Sequence, residues 1–473
     1  MEHMEQNAIV VLDIGKTMSK LSLWTVSGDL ICRESRPNER RSHGDFDVLD
    51  VEGIAPWVIE TLGSFSERAM ISKIIPVAHG AAFVVVRDGR LVAPPMDYES
   101  SLPTGIAEAY SAERDAFTMS GSPQLSEALN AGAQIYWQEK QMPGLLDGST
   151  LMPWAQYWAW FLSGIDSTEV TSLGCHTDLW DPIRSDFSPM AKRLGWASAF
   201  APKEFAGNAI GTLRKEIADQ TGLSEHVKVY CGIHDSNAAL VAARAHKEME
   251  EGDRTVLSTG TWFVAMRTPA RPFDINNLPA NRDCLLNVDA WNEPIPSARF
   301  MGGREIEALI GIDTRRVDIK PDQPALLSAV SGLVAAGSML QPSFAKGFGP
   351  YPNGRGRWID MPDDWFVRRS AACLYAAMLA STSLDLIGSH ETILLEGRFA
   401  EAEVIVRALA SLRPNDAIYT CHAQNDVSFG ALRLINPVLK PKTELARVTA
   451  LETDLTSYYQ DWKRLADMAS AAA

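Results

Sequence analysis

The stretch Ile9-Val10-Val11-Leu12-Asp13-Ile14-Gly15-Lys16-Thr17 decides how the chain begins to fold. Four consecutive apolar residues, 9 to 12, suit a strand covered on both faces. Asp13 to Thr17 reads as a turn, because Gly15 breaks the apolar run and the residues beyond it change period. Leu21, Leu23 and Thr25 alternate with Ser22, Trp24 and Val26, a period of two; Ser27-Gly28-Asp29 makes a second turn before Leu30-Ile31. The chain thus opens as a strand meander with a glycine-bearing turn between its first two strands. A Walker A loop is excluded, since Val10 stands where its first glycine must be and a strand follows the Thr. A haloacid-dehalogenase motif is excluded too, since Gly15 stands where its second Asp belongs.

The same pattern returns later. Thr255-Val256-Leu257-Ser258 reads as a strand, Thr259-Gly260-Thr261 as a turn, and Trp262 to Met266 as a strand again. Two halves that begin alike suggest an internal duplication. The 473 residues favour at least two domains. The charged run His246 to Asp253 reads as a solvated link and the best boundary. It gives an N-terminal domain at 8–246, a C-terminal domain at 247–445 and an amphipathic helix within 446–473, drawn from Ala450 to Met468. Further strands are expected at 74–78, 83–87, 227–231, 393–395 and 417–420. Helices are expected at 237–245 and 402–412, with a largely helical region over 100–220 and a long loop over 341–357. The aromatic run 154–161 reads as a core-packing helix before it reads as a sugar-stacking platform.

Composition narrows the function. Hydrophobic residues make up 46% and charged residues 22%, the balance of a folded globular protein. The net charge of −15 disfavours general nucleic-acid or anionic-membrane binding, though a local phosphate site remains compatible. The apolar stretch 371–388 contains Ser381, Thr382, Ser383 and Asp385 and reads as a buried helix, not a membrane span. Cysteines at 32, 175, 231, 284, 373 and 421 are scattered, which excludes CxxC redox sites and zinc knuckles and suits a reducing cytoplasm. The N-terminal residues show no signal-peptide pattern, so a cytoplasmic location is expected.

A phosphate turn has a direct physical logic. Asp13 at a strand end can hold Mg²⁺ through water. Gly15 lets the backbone approach a phosphate. The amides of 15–17, the Thr17 hydroxyl and the Lys16 or Lys20 ammonium can supply hydrogen bonds and charge. Asp235 follows the strand at 227–231, in Gly232-Ile233-His234-Asp235-Ser236, where a helix begins. Alone it reads as a helix cap; with two phosphate turns in this order it reads as a general base.

Taken together, Asp13 to Thr17, Gly232 to Ser236 before an alanine-rich helix, and Ser258 to Trp262 resemble the FGGY family of carbohydrate kinases over about residues 8–440. Thr168 to Ser172, Leu179-Trp180-Asp181, Gln341 to Gly356 and Ser428 to Leu432 resemble further family segments, the last of them in the adenosine site. His234-Asp235-Ser236 is most similar to the rhamnulokinase and fuculokinase branch. The resemblance implies an α/β fold of two ribonuclease-H-like domains, as in actin, hexokinase and heat-shock chaperone ATPases. These have mixed five-stranded sheets flanked by helices, with ATP bound between the domains. It implies Asp235 as the catalytic base and ATP and Mg²⁺ as cofactors, the metal at Asp13 and Asp235. Nucleotide contacts are implied at Asp13, Gly15, Lys16, Thr17, Lys20, Thr259, Gly260, Thr261, Gly303, Gly397, Arg398 and Asn425. Sugar contacts are implied at His79, Gly80, Asp97, His234 and Asp235. Two departures stand out: Lys16 replaces the usual Thr or Ser, and Glu396-Gly397-Arg398-Phe399 replaces Gly-Gly-Gly-Ala. Arg398 reads equally as a nucleotide contact or a solvent-facing residue.

The expected activity is transfer of the ATP γ-phosphate to a small ketose or deoxyketose of the L-rhamnulose or L-fuculose type. Alternatives are another sugar, polyol or sugar acid (L-ribulose or xylulose type), a catalytically silent sugar or nucleotide sensor, and an ATPase with a protein client. The partner is a small sugar, not nucleic acid or membrane; a homodimer is left open.

Overall fold

The computed structural model describes residues 7–314, 316–421 and 427–471. The chain forms two compact units: Met1–Ala242 with Leu286–Pro294 and Asp426–Lys440, and Ala243–Leu285 with Ile295–Asn425 and Pro441–Ala473. The crossing at 242/243 falls just before the charged run. Two excursions that a linear division gives to the second domain, 286–294 and 426–440, belong to the first unit.

The first unit is built on a seven-stranded sheet. In spatial order its strands are Ala209–Thr212, Lys228–Tyr230, Met70–Ala78, Asn7–Ile14, Met18–Thr25 and Leu30–Pro37, with Ile233–His234 also pairing Met70–Ala78. Five strands were expected; the edge strand Ala209–Thr212 and the short Ile233–His234, which resumes after Cys231-Gly232, make up the difference. The opening apolar run is explained by burial on both faces. Ala8, Val10, Leu12 and Ile14 pack with Ile54, Val58, Leu62 and Phe65 of helix Val51–Ser66 and with Trp154 and Trp158 of helix Trp154–Ser163. Ile9 and Val11 face the other way, against Ala238 and Val241 of helix Asp235–Ala243 and Ala431 and Leu432 of helix Val427–Ile435.

Asn7–Ile14 pairs antiparallel with Met18–Thr25 and parallel with Met70–Ala78, placing Asp13 opposite Val77 and Ile14 opposite Ala78. Ile233 and His234 pair with the same Val77 and Ala78 from the other side. Three strands running the same way therefore end at one level, and the residues just past them, at 79 and 235, emerge together.

The second unit has its own seven-stranded sheet, ordered Cys284–Val288, Pro294–Phe300, Phe263–Thr268, Arg254–Thr259, Thr392–Gly397, Ala417–Thr420 and Ala446–Arg447. The expected echo of the opening hairpin is present: Arg254–Thr259 pairs antiparallel with Phe263–Thr268. Helix Trp365–Leu386 is buried from Arg369 to Leu384 and capped by Asp364, whose carboxylate accepts from Val367 N–H at 2.9 Å. Among the described residues no helix is long and apolar enough to cross a membrane.

Three expectations need correction. The run 246–253 is not simply solvated. Met249 and Asp253 are buried, and Asp253 accepts three hydrogen bonds of 2.7–3.0 Å from the Arg267 guanidinium. The last helix is Thr456–Ala471, starting later than expected, after a turn in which Asp454 Oδ1 accepts from Thr456 N–H at 2.9 Å. It packs on the second unit, where Trp462 Nε1–H donates to Leu340 O at 2.6 Å and Tyr458 O–H to Ser338 O at 2.7 Å. Finally, Ser428 to Leu432, expected in an adenosine site, lies in a helix that packs within the first unit. A Cβ on Gly430 would sit 1.8 Å from Ala238 O, so the two helices approach at a contact that only glycine permits.

Gly430→Ala is expected to destabilise the first unit by about 1–3 kcal/mol through overpacking. Urea denaturation followed by circular dichroism measures this; an unchanged midpoint would mean that the two helices separate at no cost.

Candidate active site

The strand ends of the first unit bring carboxylates, imidazoles and a lysine together. His79 directly follows strand Met70–Ala78, and its N–H donates to Ile14 O at 3.2 Å. Its Nδ1–H donates to Gly80 O at 2.8 Å. Burial holds the ring below its usual pKa, against the Gly80 hydrogen bond and the Asp235 charge. A neutral ring with Nδ1–H engaged leaves Nε2 as a hydrogen-bond acceptor.

Asp235 opens helix Asp235–Ala243. Among the described residues, the hydrogen bonds to this carboxylate fall on Oδ1: His234 Nε2 at 3.1 Å, Ser236 N–H at 2.6 Å and Ser236 Oγ at 3.3 Å. Oδ2 is left as the basic oxygen. Burial pushes this carboxyl up, but the His234 hydrogen bond and charge, the His79 ring and Ser236 N–H together hold it below the usual range. It is a candidate base at the first residue of its helix.

His234 is fixed from several sides. Its N–H donates to Thr171 Oγ1 at 3.2 Å, and Thr171 in turn donates from N–H (3.0 Å) and Oγ1–H (2.5 Å) to Glu169 Oε2. Gln156 Nε2 holds the bend before it, donating to Cys231 O at 3.2 Å and Gly232 O at 3.1 Å. Cys175 Sγ lies 3.7 Å from His234 Nε2. Burial disfavours the His234 imidazolium, but the neighbouring Cys175 and Asp235 outweigh it and raise its pKa. Burial likewise raises the Cys175 thiol, and the His176 and His234 rings reverse this. A side chain at Gly80 would strike both Cys175 Sγ and His234 Nε2 at 2.9 Å.

Asp13 is buried, with Lys20 Nζ at 3.5 Å from Oδ2. Burial raises its pKa to about 6; Lys20 opposes this and the Asp235 charge adds to it. At the following turn Gly15 N–H donates to Met18 O at 3.0 Å, so an anion there would meet the amides of Lys16 and Thr17. The Lys16 side chain differs from expectation. It forms an ion pair with Asp97 and lies 4.7 Å from the Tyr98 ring centre. Lys16, Asp97 and Trp154 bound a cavity of about 190 Å³ with His79 in its wall. In the aromatic run Trp154 and Trp158 are core, as the core-packing reading expects, and Trp154 also lines this cavity.

In the second unit, the Thr259–Thr261 turn is held by its own side chain. Thr259 Oγ1–H donates to Glu396 O at 2.6 Å and accepts from Phe399 N–H at 3.0 Å, so this hydroxyl staples two strand ends together. Gly397 keeps the glycine role: its φ is +84°, and a Cβ would meet Thr259 O at 2.2 Å. Gly303, at the start of helix Gly302–Ile310, would put a Cβ against Gly260 O. Thr261 is exposed, and its carbonyl accepts from Arg304 N–H at 3.4 Å. Arg398 pairs with Glu307 at 3.3 Å and stacks over Phe399 at 4.8 Å. Asn425 lies outside the described residues. Cys175, Gln156 and Asn237, whose Nδ2 is 3.3 Å from His234 Nδ1, carried no sequence signal of their own.

A profile described as the carbohydrate kinase FGGY C-terminal domain matches residues 251–443. A solved structure of a carbohydrate kinase from Novosphingobium aromaticivorans is 53% identical, covering 98% of this chain and 100% of that one, with a TM-score of 0.95. The chain belongs to the FGGY carbohydrate kinase family. The fold is shared more widely: ligand-bound xylulose kinase from Lactobacillus acidophilus superposes with a TM-score of 0.81 at 13% identity, over 98% of both chains. L-fuculokinase from Escherichia coli (strain K12) is 25% identical over 283 residues, which are 56% of this chain; the chain spans only 57% of that curated relative's length. The segment Glu396 to Phe399, where nucleotide contacts are expected, is packed by Phe399 against Phe263, with ring centres 5.3 Å apart.

Glu169 gives a pH test of the site's frame. Burial raises it to about 7, against its Thr171 hydrogen bonds. Below the unfolded pKa both states hold the proton and folding carries no penalty. As pH rises toward about 7 the unfolded state loses its proton first, and stability falls. The loss is of order 3 kcal/mol. Glu169→Gln should flatten the stability profile between pH 5 and 8, measured by urea denaturation; parallel profiles would mean that Glu169 is not buried as a neutral acid.

Proposed function

We propose that this protein is an ATP-dependent sugar kinase that transfers the γ-phosphate to a hydroxyl of a small ketose or deoxyketose of the L-rhamnulose or L-fuculose type. The carrying observation is Asp235: Oδ1 is occupied by donors while Oδ2 stays basic, beside the acceptor nitrogen of His79. The sugar hydroxyl loses its proton to Asp235 Oδ2 as it attacks the γ-phosphorus. His234 holds that carboxylate in orientation and keeps it ionised. His79, Gly80 and Asp97 orient the sugar. Phosphoryl transfer asks mainly for positioning and charge stabilisation, which suits a fixed rather than strongly basic carboxylate.

A divalent cation fits the residues present. Asp13 is a buried carboxylate raised to about 6, because Lys20 at 3.5 Å and the Arg33 charge offset its burial and the Asp235 charge only in part. Mg²⁺ commonly takes one or two carboxylates and completes its shell with water and phosphate oxygens. Among the described residues no cluster of three His, Cys, Asp or Glu side chains forms a closed metal cage, which agrees with that open mode. When bound, the ion would neutralise charge on the phosphates. Gly15, the amides of Lys16 and Thr17, and Lys20 would serve the phosphates in the first unit. Gly260, Thr261, Gly303, Gly397 and Arg398 would serve the nucleotide in the second. Cytoplasmic sugar catabolism is the setting this reading suits.

A panel of ketoses, polyols and sugar acids in a coupled ADP-release assay tests the activity. Asp235→Asn should lower kcat by ~10²–10⁴ while sugar binding persists. Near-normal turnover of that variant would remove Asp235 from the base role. Binding of both ATP and sugar without product in the wild type would instead make the protein a sensor.

A further inference from the structure

The Lys16 ammonium has acidic and aromatic neighbours. It is ion-paired with Asp97, lies 3.9 Å from Glu99 and sits 4.7 Å over the Tyr98 ring. Tyr98 also meets His79 edge-on at 5.5 Å. Asp97 is fixed in turn: its N–H donates to Asp47 O at 2.8 Å, and its Oδ1 accepts from Glu99 N–H at 2.8 Å. Lys16 and Asp97 thus form a braced pair, and both line the same 190 Å³ cavity as His79 and Trp154.

Two features say what the cavity would bind. First, it has donors still to satisfy. A lysine ammonium carries three N–H groups. Among the described residues, Lys16 Nζ has no hydrogen-bond acceptor beyond its ion pair, and the buried Trp154 Nε1 has none either. Second, the cations lining the cavity already face carboxylates. Lys16 stands against Asp97 and Glu99, and Arg40 against Asp47 at 2.5 Å and Glu99 at 3.6 Å. Asp50 is in turn met by Arg36 at 2.8 Å and Arg41 at 3.4 Å. Among the described residues lining the cavity, the carboxylates Glu39, Asp50, Asp97 and Glu99 outnumber the cations Lys16 and Arg40, so an incoming carboxylate would meet a net negative wall, and like charges at short range repel strongly in a partly buried site.

We infer that Lys16 and Asp97 together are the specificity-determining pair of the acceptor site, and that they select an uncharged polyhydroxy substrate and reject sugar acids. Lys16 donates to one hydroxyl oxygen of a vicinal diol while Asp97 accepts the proton of the other; His79 Nε2 accepts a third. This deepens the sugar-kinase reading and rests on it for the identity of the cavity as the acceptor site.

The test combines binding with kinetics. Calorimetry on the wild type should show binding of L-fuculose-, L-rhamnulose- or D-xylulose-type ketoses at least tenfold tighter than of D-gluconate. Lys16→Met should raise KM for the ketose at least tenfold and leave KM for ATP within about twofold. Asp97→Asn, which keeps the shape and releases the Lys16 charge, should weaken the ketose and strengthen D-gluconate, each at least tenfold. The inference is overturned if wild type prefers D-gluconate, or if Lys16→Met raises KM for ATP instead. It is also overturned if Asp97→Asn leaves the preference unmoved. The wild-type calorimetry stands alone should either variant fail to fold. Ketose binding without any ADP release would defeat the kinase reading while leaving this selectivity intact.

Discussion

The first unit depends on the in-register parallel pairing of strand Met70–Ala78 with Asn7–Ile14 on one side and Ile233–His234 on the other. Ala78 is the shared reference: Ile14 faces it from one strand and His234 from the other. Side chains in a strand alternate faces, so a one-residue slip of either neighbour would turn Asp13 or His234 away from this level. The pairing is held by apolar burial on both faces of the opening strand, where Ala8, Val10, Leu12 and Ile14 enter one core and Ile9 and Val11 another. Ligands of open α/β sheets gather at the carboxyl ends of parallel strands, and the acid, base and imidazole groups sit there.

Within that frame three carboxylic acids, Asp13 and Glu169 buried and Asp235 half-buried, are set apart by their neighbours. Asp235 is held ionised by donors gathered on one oxygen. Asp13 is raised by burial and by the charge of Asp235, leaving it short of positive charge. Glu169 is raised further and works through Thr171, which carries the backbone of His234. One acid is thereby suited to accepting a proton, one to facing a cation, and one to bracing the frame. The division rests on local hydrogen bonding, since all three residues are carboxylic acids in one unit.

Much of this was legible from local pattern. The apolar run 9–12 gave the doubly covered strand, the two glycine-bearing turns gave the paired hairpins, and Asp235 stood at a strand-to-helix junction. What failed was non-local. Lys16 is 81 positions from Asp97 in the chain, and a turn motif carries no sign of a partner that distant. Thr259 looked like a phosphate-binding hydroxyl, but its Oγ1 bridges Glu396 and Phe399, which reach it only through strand pairing. Gly430 looked like part of a nucleotide segment, yet it is glycine because Ala238 O lies against it. The excursions 286–294 and 426–440 pass to the first unit without any shift in composition. Cys175 became visible only once its sulfur was found beside His234.

The central claim is that Asp235 and its neighbours drive phosphate onto a sugar hydroxyl and not onto water. Phosphorus NMR of the protein with ATP, Mg²⁺ and an L-fuculose- or L-rhamnulose-type ketose tests that most directly. A sugar-phosphate monoester resonance should grow in step with ADP, with little inorganic phosphate. ADP accompanied only by inorganic phosphate would contradict the claim.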